Sequence, residues 1–189
     1  MKAISGIKKF MFVVPNTRWF GKRCWLWFVP GVTILSQMLK KNGYDVKICE
    51  ANINNLSSEE VKKKIKSYGP DVVGISNMSI EYWSQLHLCA ELAKEADKNI
   101  IVIAGGVHPI TLPEKVMEDN NVDYVVLSEG EERLFQLLDI IQSDYDFTRM
   151  NGVLYRENGV VKKIPSHGWY RDLNNVTIPD YKSLYDNPE

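Results

Sequence analysis

Five short runs of apolar, β-branched or aromatic residues constrain this chain more than any other feature: Phe10 to Val14, Tyr44 to Cys49, Val72 to Ser76, Ile100 to Ala104 and Tyr124 to Leu127. They are largely apolar on successive residues. A strand with one wet face alternates apolar and polar positions, whereas a strand covered on both faces does not. Between the runs lie segments of helical period, so strand and helix alternate five times. Right-handed crossovers turn such an alternation into a parallel sheet with helices on both faces.

Local signals support the helices. Ser57 stands three residues before Glu60 as a capping box, with Leu56 and Val61 at hydrophobic-staple positions, and the helix stops at Gly69-Pro70. A first helix carries Leu35, Met38 and Leu39 and ends at Asn42-Gly43. A third follows Ser79, with Trp83, Leu86, Ala90 and Ala93 on one face. A short fourth is predicted to open with a capping box from Thr111 to Glu114, and a fifth carries Leu134, Leu137, Leu138 and Ile141. The predicted fold is α/β: a doubly wound, flavodoxin-like or Rossmann-like five-stranded parallel sheet in the order 2-1-3-4-5.

After Ser143 the pattern changes. Gly152 to Arg156 and Val160 to Ile164 flank Glu157-Asn158-Gly159, whose Asn-Gly pair signals a tight β-hairpin. Trp169, Tyr170, Asn174-Asn175, Pro179-Asp180 and Asn187-Pro188 then form a turn-rich segment without sustained periodicity. The expected organisation is an α/β domain over 1–147, a hairpin appendage over 148–166 and a linker over 167–189.

With 189 residues, 44% of them hydrophobic, the chain has material for one well-buried core. The net charge of -1 gives no basic field, so neither nucleic acid nor an anionic membrane is an expected partner. Lys62-Lys63-Lys64 lies inside a helical pattern and reads as a solvated face. No stretch has the length of a transmembrane helix, and Cys24, Cys49 and Cys89 are odd in number and irregularly spaced, against a disulfide framework or a zinc site. The expectation is a soluble, cytoplasmic protein.

In an open parallel sheet, ligands bind beyond the carboxyl ends of the strands. The loops there are Pro15-Asn16-Thr17, Ser76-Asn77-Met78-Ser79, Gly105-Gly106-Val107-His108-Pro109 and Ser128-Glu129-Gly130-Glu131-Glu132. No Gly-x-Gly-x-x-Gly follows a strand and no Walker lysine appears, which removes the usual nucleotide fingerprints. Asn16 stands where a phosphorylated receiver would need an aspartate, and Arg18-Trp19 where a flavodoxin would need hydroxyls.

Taken in order, the proline turn after strand one, Gly43, Pro70-Asp71-Val72-Val73-Gly74-Ile75-Ser76, Ala104 to Pro109, Thr111-Leu112-Pro113-Glu114, and Asp123-Tyr124-Val125-Val126 before Ser128 to Glu132 resemble one family. It is the amino-terminal cobalamin (vitamin B12)-binding domain of cobalamin-dependent radical S-adenosylmethionine enzymes. The resemblance runs from about Lys8 to the end. It implies a corrinoid across the carboxyl edge of the sheet, its nucleotide tail directed into the domain and its ring facing a barrel that follows in cis. Carried over, Ser76 and Ser79 would hydrogen-bond the cofactor within the loop that also holds Asn77 and Met78. Gly105 and Gly106 would admit the tail, Glu129, Gly130 and Glu131 would close the pocket, and backbone amides of Asn16 and Thr17 would meet the ring's amide side chains.

Mutases and methionine synthase carry Asp-x-His-x-x-Gly after strand one; here that loop is Asn16-Thr17-Arg18-Trp19-Phe20-Gly21. The implied binding mode is therefore independent of histidine. Three roles are open to His108: cobalt ligand, hydrogen-bond donor to a cofactor amide, or structural residue before Pro109. His87 and His167 read as structural or exposed. The aromatic stretch Trp19 to Phe28 would cover the corrin, dock the barrel or fold back as a lid.

The motif Cys-x-x-x-Cys-x-x-Cys occurs nowhere in the sequence. The [4Fe-4S] cluster and S-adenosylmethionine are therefore expected only in a downstream domain, and neither catalytic residues nor a protein-held metal is expected in this one. Two other readings stand beside the cofactor module. One is a degenerate domain that docks a partner without cofactor, and the other is an independent enzyme using Glu129, Glu131 or Glu132, residues equally explained as caps of a helix start.

Overall fold

The computed structural model describes residues 6–26, 29–168 and 177–184. Seven strands form one sheet in the order β2-β1-β3-β4-β5-β6-β7: Lys9–Val14 (β1), Asp45–Glu50 (β2), Val72–Ser76 (β3), Ile101–Gly105 (β4), Tyr124–Val126 (β5), Val153–Glu157 (β6) and Val160–Ile164 (β7). The first five are parallel, as the alternation predicts.

The hairpin continues the sheet. β6 pairs antiparallel with β5, Val125 opposite Leu154, and the rings of Tyr124, Phe147 and Tyr155 stack across the junction. An unpaired β5 edge would expose backbone donors and acceptors, and β6 covers them. Asn158 and Gly159 take φ of 51° and 80°, the left-handed pair that a two-residue hairpin turn requires.

Successive strand residues face opposite sides, so each strand feeds two cores. Phe10, Phe12 and Val14 pack towards Pro30–Lys41 (α1) and Gly130–Gln142 (α6). Met11 and Val13 pack towards Ser58–Tyr68 (α2) and Trp83–Ala96 (α3), with Val116 and Met117 from the end of Pro113–Val116 (α5), the second of two short helices after Val107–Thr111 (α4). The Ser57 box is formed: its Oγ accepts the Glu60 N–H at 3.3 Å, and its own N–H donates to Glu60 Oε2 at 2.8 Å. Gly69 closes α2 in the left-handed region.

Two expectations are corrected. The Thr111 to Glu114 capping box does not form, because Thr111 Oγ1 donates to the Val107 carbonyl at 2.7 Å and so completes α4, leaving Leu112 as the residue before α5. Trp83 does not join the buried stripe of Leu86, Ala90 and Ala93; it opens α3 beyond the sheet edge and is exposed, while Tyr82 before it is buried.

Residues 177–184 fold back over α1 and β2. The Asp180 N–H donates to Thr33 O at 3.1 Å, Lys40 Nζ reaches Asp180 Oδ2 at 2.6 Å, and Leu184 is buried in the α1 side of the core. Trp27, Phe28, Trp169, Tyr170, Asn174, Asn175, Asn187 and Pro188, singled out in the sequence, lie outside the described residues. Among the described residues, no helix is long and apolar enough to cross a membrane.

Candidate functional site

The face of the sheet towards α1 and α6 loses its side chains as the strands approach their carboxyl ends. On β3 the residues facing that side are Val72, Gly74 and Ser76; on β4 they are Ile101, Ile103 and Gly105; after β5, Val126 is followed by Ser128. Bulk gives way to glycine and serine on adjacent strands, and a cavity of about 220 Å³ opens there. Phe10, Phe12, Ile103 and Val126 form its wall on the sheet side, Leu35 and Leu134 close it from the helices, and Ser76, Met78, Ser128 and Glu131 stand where strands end and α6 begins.

Each glycine in this region has its own physical reason. A Cβ on Gly105 would meet nothing within 4 Å, so its missing side chain is open cavity. A Cβ on Gly106 would stand 2.6 Å from the Asn77 carbonyl oxygen, and φ is +99°. Gly106 therefore lets β4 run close beneath the loop after β3 while it also lines the cavity. At Gly74 the added carbon would strike the Phe10 and Phe12 rings, and at Gly130 the Leu35 side chain at 2.9 Å. Ser128 enters α6 with φ of 66°, an unusual backbone for a residue with a side chain.

Of the residues selected from sequence, Ser76, Met78, Gly105, Gly106, Gly130 and Glu131 line the cavity. The others stand elsewhere. Asn77 is buried and holds its own loop, donating from Nδ2 to Tyr82 O at 2.6 Å and accepting the Ser79 N–H at 3.0 Å. Ser79 Oγ accepts the Glu81 N–H at 3.2 Å and caps a 3-10 turn over Ile80–Tyr82, so it faces a helix start and not the cavity.

The loop after β1 is tied down within the protein. Asn16 and Thr17 are buried; the Thr17 N–H donates to Asn52 Oδ1 at 3.1 Å and its hydroxyl to the same atom at 2.8 Å, while Asn16 Nδ2 donates to Leu56 O at 3.0 Å. The Thr17 amide assigned to the corrin ring is thus already engaged within the protein. Beside this network Glu50 is buried with Oε1 unpartnered, its Oε2 accepting the Ile53 N–H. Burial pushes its carboxyl up to about 7, against the lowering pull of backbone donors and Arg18.

His108 is buried, does not line the cavity, and has neither ring nitrogen hydrogen-bonded. Burial, then the neighbouring His87 of α3, lowers its pKa and so favours the neutral imidazole. Among the described residues, no group of three or more His, Cys, Asp or Glu side chains is arranged to hold a metal ion.

Glu129 is exposed and borders a second, open groove of about 700 Å³, between α4, α5 and β7, that also meets Pro113, Glu114 and Lys163. Ile110 and Ser128 border both spaces, so groove and cavity are neighbours along one edge. That edge carries exposed Ile80, Trp83, Val107, Ile110 and Leu112. Sequence reading missed Phe10, Phe12, Gly74, Leu35 and Leu134. The available signal was parity: Gly74 and Ser76 on β3 and Gly105 at the end of β4 fall on positions that face one side of the sheet.

A model of the B12 binding domain family matches residues 26–138, more than half of the chain. An uncharacterised methyltransferase of Pyrococcus horikoshii is 29% identical over 94% of this chain and 39% of its own length. The anaerobic magnesium-protoporphyrin IX monomethyl ester cyclase of Rubrivivax gelatinosus is 29% identical over 84% of this chain and 29% of its own. The chain thus spans well under half of these relatives. Among solved structures, the cobalamin-dependent S-adenosylmethionine radical enzyme OxsB, with aqua-cobalamin and S-adenosylmethionine bound, superposes with a TM-score of 0.75 at 20% identity, over 94% of this chain and 24% of that one. The radical S-adenosylmethionine methyltransferase TsrM from Kitasatospora setae, with cobalamin and a [4Fe-4S] cluster bound, gives 0.69 at 16% identity, over 86% and 31%. At such identities the structural likeness speaks for the fold.

Proposed function

From the premise that the chain belongs to the B12-binding domain family, we propose that it holds cobalamin on the carboxyl edge of its sheet, with the nucleotide tail in the cavity beneath α1 and α6. The observation that carries this reading is the open space over Gly105, in a cavity whose sheet-side wall is reduced to glycine and serine towards its mouth. The residues fit the group: an aromatic base needs an apolar slot, its sugar and phosphate need polar groups at the entrance, and the cavity has them in that order.

Bound cobalamin would supply a cobalt centre able to accept and pass on a methyl group. The chain's own residues bind and orient. Leu35 and Leu134 would exclude water from the tail, Ser76 and Ser128 would offer hydroxyls to the sugar and phosphate, and Glu131 would accept a hydrogen bond from a sugar hydroxyl. No imidazole lines the cavity, and the loop after β1 contains none. The residues that would hold the tail therefore include no histidine to offer the metal.

In the full-length protein the partner in cis is a radical S-adenosylmethionine barrel, which would hold the [4Fe-4S] cluster and S-adenosylmethionine and perform methyl transfer or related chemistry. The relatives' greater length and the apolar row of Ile80, Trp83, Val107, Ile110 and Leu112 on the same edge support this arrangement. The absence of a disulfide among the described residues suits a reducing cytoplasm. The test is reconstitution of the purified chain with hydroxocobalamin followed by gel filtration. Stoichiometric corrin absorbance co-eluting with protein is the expected result, and a colourless protein peak after saturation sinks the proposal.

A further inference from the structure

The cavity is chemically divided. Its polar side chains, Ser76, Ser128 and Glu131, belong to strand ends and the start of α6, while Phe10, Phe12, Ile103 and Leu134 line the remainder. The strand backbones offer nothing further there: Gly74 is in ladder register with Phe12 on one side and Ile103 on the other, so their N–H and C=O groups serve the sheet. A group lodged among Phe10, Phe12, Ile103 and Leu134 finds no side-chain donor or acceptor beside it.

From this we infer that the domain selects among corrinoids by the base of the nucleotide tail, accepting an apolar benzimidazole and discriminating against adenine. The inference rests on the proposed placement of the tail. Dimethylbenzimidazole presents methyl and ring C–H edges to Phe10, Phe12 and Leu134, and these lose nothing on leaving water. Adenine would carry its exocyclic amine and ring nitrogens into the same slot unpaired, and a buried polar group without a partner weakens binding by about tenfold or more. An apolar pocket rejects such an analogue by at most about a hundredfold. The expected preference is therefore about 10- to 100-fold.

Gly105 controls entry. Its φ is ordinary for an L residue and an added Cβ meets nothing within 4 Å, so valine in this strand position fills cavity without displacing protein. Gly105→Val should fold and should lose the contribution of the tail.

Equilibrium dialysis of the chain against cobalamin, its adenine-tailed analogue and tail-less cobinamide, read by corrin absorbance, tests the inference. The expected order is cobalamin tightest, with the adenine analogue 10- to 100-fold weaker and near cobinamide. In Gly105→Val, cobalamin should weaken to the cobinamide level while cobinamide binding stays unchanged. Equal affinity for the two tailed corrinoids, both above cobinamide, overturns the selectivity while leaving the cofactor reading intact. Equal affinity for all three, or a Gly105→Val that folds and retains full cobalamin affinity, overturns the tail placement as well. Binding of none overturns the cofactor reading itself.

Discussion

Gly105 and Gly106 are adjacent in sequence and should respond oppositely to the same one-carbon change. In Gly106→Ala the new Cβ would stand 2.6 Å from the Asn77 carbonyl oxygen, with φ at +99° and ψ at -177°. That backbone region is essentially restricted to glycine, and holding another residue in it costs on the order of 1–3 kcal/mol. Relief requires moving Asn77, whose N–H donates to Gly105 O at 3.0 Å and whose carbonyl accepts the His108 N–H at 3.2 Å. Losing one or two such bonds adds about 1 kcal/mol each. The total, about 2–5 kcal/mol, is a large share of the roughly 5–15 kcal/mol that stabilises a domain. With a urea slope of about 2 kcal/mol per molar, the unfolding midpoint followed by circular dichroism should fall by about 1–2 M. Gly105→Ala, with open space and an ordinary φ, should stay within about 0.5 kcal/mol of the parent, since an alanine that fits without strain costs little or stabilises. Equal midpoints for the two variants would refute the reasoning.

Three further outcomes are expected. Ser57→Ala removes the side-chain arm of the α2 capping box, the Oγ that accepts the Glu60 N–H, while the backbone arm to Glu60 Oε2 remains, and should cost about 1 kcal/mol in the same urea assay, with no change in corrinoid affinity. Asp180→Ala removes the acceptor that Lys40 Nζ reaches at 2.6 Å and should speed amide exchange over residues 177–184 by about tenfold while β1 and β3 keep their protection. Glu50, raised from 4.5 to about 7 in the fold, binds its proton more tightly folded than unfolded, so its contribution to stability is complete below about pH 4.5 and lost as pH rises through 7. Parent stability relative to Glu50→Gln should therefore decline across that window by about 3 kcal/mol, and parallel pH profiles for the two proteins would contradict it.

The order of the five parallel strands was legible because both-sided burial writes itself as continuous apolar runs in β1 and β3, and the α2 start because a capping box uses neighbours in sequence. The hairpin turn was legible for the same local reason. Its merger with the sheet was not, since the need to cover β5 arises only once β5 lies at an edge. A local signal also misled where a group had two partners to choose from: the Thr111 hydroxyl turned back to Val107. The cavity was half legible. The loops named Ser76, Gly105, Gly130 and Glu131, but the wall of Phe10, Phe12, Gly74, Leu35 and Leu134 required knowing which face each strand residue takes and which helices cover it.

The central claim is that this chain takes up cobalamin with the tail withdrawn into the cavity beneath α1 and α6 and no side chain below the metal. Electron paramagnetic resonance of the chain loaded with cob(II)alamin reads this directly, because a nitrogen ligand below cobalt splits each cobalt line through its nuclear spin. The account predicts a protein-bound signal without nitrogen splitting, from which neither the tail base nor an imidazole is coordinated. A bound signal that retains the splitting contradicts it.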